Sequence, residues 1–140
     1  MTALSANAVR RVRGSSKRHA YVVGTGAVIY SGALVAVNTA TGRAVPATDA
    51  TARKILGVAL GAPGYHGESV TGTASGGEEV EVAFDAPFFF ADAAALTEAY
   101  TGSNCAVVDD NTVTTGSDST NSLLVGEVME VTSTGSWVHV

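Results

Sequence analysis

From His19 onward the chain alternates short apolar runs with glycine, serine and threonine breaks. The runs HAYVV, AVIYS and ALVAVN are separated by Gly24-Thr25-Gly26 and by Ser31-Gly32, and the last leads through Thr39-Ala40-Thr41-Gly42 into RAVPA. KILGVAL, GESVTGTA and EEVEVAF continue the series, with Gly61-Ala62-Pro63-Gly64 and Ser75-Gly76-Gly77 as turn material. Runs this short, bounded by such residues, predict strands joined by turns, and residues 39 to 42 predict a four-residue hairpin loop. Further on, NCAVV and TVTT flank the turn Asp109-Asp110-Asn111, and SLLVGEVMEV and SWVHV flank Thr134-Gly135. Only residues 92 to 100, DAAALTEAY, predict a helix, with an acidic cap, three alanines, and Leu96 and Tyr100 four apart. No repeat of solenoid or propeller length runs through the chain.

Within residues 79 to 84, Val80, Val82 and Phe84 fall on one face of a strand and Glu79, Glu81 and Ala83 on the other. Alternation of that kind predicts a half-buried strand with a wet, acidic face. Phe88, Phe89 and Phe90 break it, because a strand through three rings puts a ring on each face. Either a second layer of the chain covers the other face or a neighbouring subunit does, so these three residues are a candidate subunit interface.

The 140 residues suffice for one domain with a core of its own, and hydrophobic residues make up 46% with aromatics only 6%. The apolar content is therefore mostly alanine and valine, which together with 16 glycines favours short strands over long helices. These features predict an all-β fold: a small β-barrel or β-sandwich of short antiparallel strands with at most one short helix and an extended N-terminal arm. A lone cysteine, Cys105, excludes an intramolecular disulfide framework.

Charge divides the chain. Arg10, Arg11, Arg13, Lys17, Arg18 and Arg43 lie in the first 48 positions, which hold no acid, while all 13 acidic residues follow. The division predicts a basic arm over residues 1–18, without sustained apolar periodicity, attached to a β-rich body over residues 19–140. The basic stretch followed by the uncharged run 20–37 has the outline of a signal peptide or membrane anchor. Gly24, Gly26 and Gly32 divide that run into pieces suited to strands, so no membrane association is expected. Nucleic acid is a poor target for the arm, which has no aromatic residue for stacking and is followed by an acidic body. An acidic protein surface suits it better, through Arg10, Arg11, Arg13, Lys17 and Arg18.

Candidate chemistry is sparse. Gly24-Thr25-Gly26 lacks the third glycine of a dinucleotide fingerprint and the Lys-Ser/Thr of a phosphate loop. His19, His66 and His139 are scattered without metal-ligand spacing, and Asp109-Asp110-Asn111 lacks the alternate ligands of a calcium loop. Glu78, Glu79 and Glu81 read as a solvated strand face, and Cys105 as a small buried residue. No catalytic residue, metal or cofactor is assigned.

GAVIYSGALVAVNTATGRAVPA, KILGVALGA, GGEEVEV, LLVGEVMEV and TGSWVHV resemble the strand segments of tailed-bacteriophage capsid decoration, or cement, proteins. The likeness covers residues 26 to 140 and leaves out the arm; the Phe88–Phe90 run and DAAALTEAY depart from it. It implies a structural, non-enzymatic protein of the virion, made in the bacterial host cytoplasm and commonly trimeric. Such a protein sits on the outer capsid surface, binds the major capsid protein and stabilises the shell against the pressure of packed DNA. In that setting the arm's cations would face the capsid. The rival expectation is a β-rich module binding carbohydrate or a cell surface, which requires exposed aromatics at Trp137 and Tyr100.

Overall fold

The computed structural model describes residues 3–93 and 96–140. Thirteen strands follow one another: β1 (Lys17–Val22), β2 (Val28–Ile29), β3 (Leu34–Asn38), β4 (Arg43–Pro46), β5 (Arg53–Ala62), β6 (Tyr65–His66), β7 (Val70–Thr71), β8 (Glu79–Phe84), β9 (Pro87–Asp92), β10 (Asn104–Val107), β11 (Thr112–Thr115), β12 (Leu124–Val131) and β13 (Ser136–His139). Single 3-10 turns at Glu98–Tyr100 and Gly116–Asp118 are the helical elements among the described residues. The fold is all-β, as the short runs and glycine breaks predict.

Two large sheets and the two-stranded β2–β7 pair make up the body. The first has the order β1-β8-β5-β3-β4 with β6 added to β5, and the second closes into a barrel in the order β10-β11-β9-β13-β12. The hairpins predicted at residues 39–42, 109–111 and 134–135 join β3 to β4, β10 to β11 and β12 to β13. Apart from β5 and β6, sequence neighbours elsewhere do not pair. β1 pairs with β8 and β3 with β5, so residues 24–26 carry the chain across the fold instead of closing a hairpin. Just beyond β1, Val23 bridges in parallel to Ala44 and Gly24 N–H donates to the Ala44 carbonyl, so the sheet curls back on itself. One strand pairing, β11 with β9, is parallel.

Both faces of the first sheet are buried, and successive residues reveal it. Leu34, Ala36, Val58 and Ala83 belong to a core shared with Phe88, Phe90, Val107, Val113, Val128 and Val138 of the barrel. Their neighbours Val35, Ala59 and Val82 belong to a second core with Val23, Ile29 and Val70, closed by the β2–β7 pair. The wet face expected for β8 is thus dry at Ala83, which the barrel covers. Glu79 is exposed as expected, and Glu81 is half-buried. Close strand approach explains Gly57, whose φ of 150° suits glycine and where a Cβ would collide with the Ala83 carbonyl.

The helix expected over residues 92–100 is largely replaced. Asp92 ends β9, residues 98–100 form a 3-10 turn, and residues 94 and 95 lie outside the described residues. Strand pairing accounts for the start of the segment, since β9 continues along β11 through Ala91 and Asp92.

Candidate functional site

The basic segment and the phenylalanine run, singled out separately in the sequence, lie against each other. β9 pairs with β13 along one edge and with β11 only at its far end, which leaves the opposite edge of Pro87–Phe89 open to a further strand. The arm supplies it. Phe89 N–H donates to the Arg11 carbonyl at 3.0 Å, Arg13 N–H donates to the Pro87 carbonyl at 3.0 Å, and Val12 bridges antiparallel to Phe88. Farther back, Ala8 N–H donates to Ser31 O, Ser31 N–H donates to Asn7 Oδ1, and Leu4 N–H donates to Asp110 Oδ1. A solvated tail is not what these residues form: residues 4 to 13 are held along the body by backbone bonds, and Lys17 and Arg18 already belong to β1.

Arg10 is the anchor. Its Nε donates to Gly32 O, Nη1 to Phe89 O and Nη2 to Asn111 Oδ1, each at 2.9 Å, and its guanidinium lies 4.6 Å from the centre of the Phe90 ring. The planar fork thereby reaches the β2–β3 turn, β9 and the β10–β11 turn together, which a lysine could not do. Burial lowers its pKa to about 10, opposed by the nearby carboxylates of Asp110 and Asp109, so it stays a cation at neutral pH. Burial raises the pKa of Asp110, against the hydrogen bond from Leu4 N–H, and the Asp109 charge adds to the rise.

Phe88 and Phe90 are buried in the barrel core, so strand alternation persists through the run. Neither ring is available to a neighbouring subunit. Phe89 points to the other face and meets Trp137 edge to face at 5.4 Å. Arg11 stacks over Phe89 at 3.9 Å, Arg13 lies over Trp137 at 3.9 Å and also pairs with Glu130 at 3.0 Å. The second layer over the third ring is therefore the arm of the same chain. Cation–π contacts of this exposed kind contribute about 0.5–1 kcal/mol each.

Lys17 pairs with Asp85 at 3.1 Å, and His139 Nε2 contacts the other oxygen of that carboxylate at 3.0 Å. The Lys17 hydrogen bond, followed by the His139 hydrogen bond, holds the Asp85 pKa below the usual carboxylate range. Glu81 receives Arg18 at 3.7 Å and His66 at 2.9 Å. All five arm cations thus have partners within the chain. Sequence reasoning missed those partners, namely Glu81, Asp85, Asn111, Glu130 and Trp137, together with Asp110, which receives Leu4 N–H, and the two histidines that share the Glu81 and Asp85 carboxylates. The odd excess of cations before residue 19 and of acids after it was the available signal, since charges separated along a chain can meet across its fold.

Other candidates remain apart. Among the described residues no three His, Cys, Asp or Glu side chains converge as a metal site, and no helix is long and apolar enough to cross a membrane. Cys105 is buried, which pushes its thiol pKa up to about 12. Trp137 is 8% exposed and Tyr100 is half-buried with its hydroxyl accepting from Gly116 N–H, so neither offers the open ring that a sugar platform needs. No family model matches the chain, and no curated protein or solved structure matches it.

Proposed function

We propose that the chain is a structural, non-enzymatic protein that decorates the outer surface of a tailed-phage capsid and braces the shell against the pressure of packed DNA, acting as a homotrimer on the major capsid protein. The observation that carries this reading is the cross-bracing by Arg10, one buried fork that ties the N-terminal arm to the β2–β3 turn, to β9 of the barrel and to the β10–β11 turn. The segment after β13 is tied as well, with Asp85 N–H donating to the Val140 carbonyl and Val140 N–H to that of Ala86. A part that must resist load gains from having its outlying segments fastened, because weakly held segments are where local opening starts. The segments that resemble decoration proteins support the same reading, since they fall on β2 through β5, β8, β12 and β13, the frame of both sheets.

The arm takes a different role in this account from the one its charge suggests. Its cations brace the fold, and contact with the capsid falls to the body, where Glu68, Glu78, Glu79, Glu98, Asp118 and Glu127 are exposed. None of these six forms an ion pair among the described residues. A complementary basic patch on the lattice is the expected counterpart.

Electron microscopy of the full chain mixed with tailed-phage capsids stripped of their own decoration protein tests the proposal. Threefold density on the outer face, together with capsids that retain DNA to a higher temperature, is the expected result. Capsids without added density at saturating protein would overturn it.

A further inference from the structure

We propose that the groove beside β9 also accepts the arm of a second copy of this chain, so that neighbouring molecules exchange arms. The groove is defined by the open edge of Pro87–Phe89, the Gly32 carbonyl and the Asp110–Asn111 turn, and its occupant is residues 4 to 13. This inference stands apart from the capsid reading and holds for any copies brought close together.

Three observations carry it. First, the arm is recognised as an extended peptide: backbone bonds to Ser31, Pro87 and Phe89 set its register, and one side chain, Arg10, sets its position. No backbone hydrogen bond joins one arm residue to another among the described residues, so the segment can be transferred without unfolding anything. Such strand addition is a general mode of peptide recognition.

Second, the connection to the body is short and unconstrained. Residues 14 to 16 make none of the turn and loop backbone hydrogen bonds, and Gly14, at φ 73°, has open space around its Cα. Beyond them β1 is fixed by its full register with β8. Redirecting Gly14-Ser15-Ser16 therefore changes which body receives the arm and leaves every contact of the groove intact, the condition under which exchange between copies is cheap. The tether spans roughly 10 Å when extended, so exchanging bodies must lie side by side.

Third, an empty groove is costly. Without the arm, the Pro87 and Gly32 carbonyls and the Phe89 N–H lose their partners, and the Phe89–Trp137 face loses its cover. The groove is thus filled either by its own arm or by another. A short tether holds its arm at an effective concentration of about millimolar, so self-occupancy prevails in dilute solution and exchange competes once copies are crowded to that density.

The test uses two full-length chains that differ in mass, one carrying Arg13→Cys and the other Pro87→Cys. These positions face each other across the arm–β9 pairing, so an arm of the first chain lying on a body of the second brings them together, whereas random collision joins all thiols alike. Cys105 is buried and its thiol unionised, which keeps it out of the reaction. Mixed at about millimolar concentration and oxidised, the pair is expected to give the hetero-disulfide in roughly tenfold excess over either homodimer, and Arg10→Ala in the first chain should abolish that excess. A statistical mixture of the three disulfides would overturn the proposal. The unmodified chain and a variant lacking Ser15 and Ser16 supply a second readout by light scattering. Dimers that grow with concentration, and that predominate in the shortened variant, are expected; monomers throughout in both would likewise overturn it.

Discussion

The Arg10 guanidinium sits over the ring of Phe90, 4.6 Å from its centre, while its nitrogens donate to acceptors on three separate parts of the fold. The guanidinium donates through the N–H groups at its edge and meets a ring through its charge, so each contact leaves the other undisturbed. Arg10→Ala should destabilise the chain by about 2–4 kcal/mol, because carbonyl acceptors and a partly buried space are left behind. Arg10→Lys should recover less than half of that loss, since an ammonium keeps the charge but not the fork. Urea unfolding of the three proteins checks the order.

Trp137 reports on the arm, being the single tryptophan and lying under Arg13 with Arg11 nearby. The double variant Arg11→Ala, Arg13→Ala should shift Trp137 emission to the red at temperatures below global melting, while far-ultraviolet circular dichroism stays unchanged. An unshifted emission maximum would mean that the arm leaves Trp137 open to water in the parent as well.

Asp85 predicts a pH dependence. Lys17 and His139 lower its pKa in the folded chain, so the stability it contributes is complete above the unfolded carboxylate value near ~4 and is lost as pH falls through the lower folded value. Asp85→Asn isolates the charge, because asparagine tolerates the φ of 59° at this position. Melting temperatures of the two proteins should differ at neutral pH and converge below that window. A constant difference down to the most acid conditions would remove the ion pair as its cause.

The glycine between β5 and β8 gives a prediction about the core. Gly57→Ala places a Cβ against the Ala83 carbonyl at a backbone angle that alanine resists, and should cost roughly 2–4 kcal/mol. Gly14→Ala, which meets no neighbouring atom, should cost only the strain of its positive φ, about 1 kcal/mol. Thermal melts of the two variants separate close packing from a general loss of glycine.

Particular residues show why much of the fold was legible in sequence and the arm was not. Thr39-Ala40-Thr41-Gly42 is a local signal, and it marks the β3–β4 hairpin because both strands and the loop lie within a few residues. The pairing of β1 with β8 joins Lys17 to Phe84, and no local pattern encodes a partner that distant. Phe88–Phe90 appeared to break alternation only because Phe89 looked uncovered. Its cover is Arg11, far away in sequence and charged, a residue type that hydrophobic periodicity counts as solvent-facing. In the same way Asp109-Asp110-Asn111 announced a turn, but nothing in it announced that Asp110 and Asn111 receive Leu4 and Arg10. DAAALTEAY shows the opposite error, a good local helix pattern that pairing with β11 overrides at its start.

That the basic segment is a working strand of the fold is the premise beneath the rest, and amide hydrogen exchange on the full-length chain tests it most directly. The amides of Ala8, Arg13 and Phe89, whose bonds join the segment to the body, should exchange far more slowly than those of an unstructured peptide. Exchange of all three at the rate of an unstructured peptide, with the amides of β13 still protected, would contradict the account.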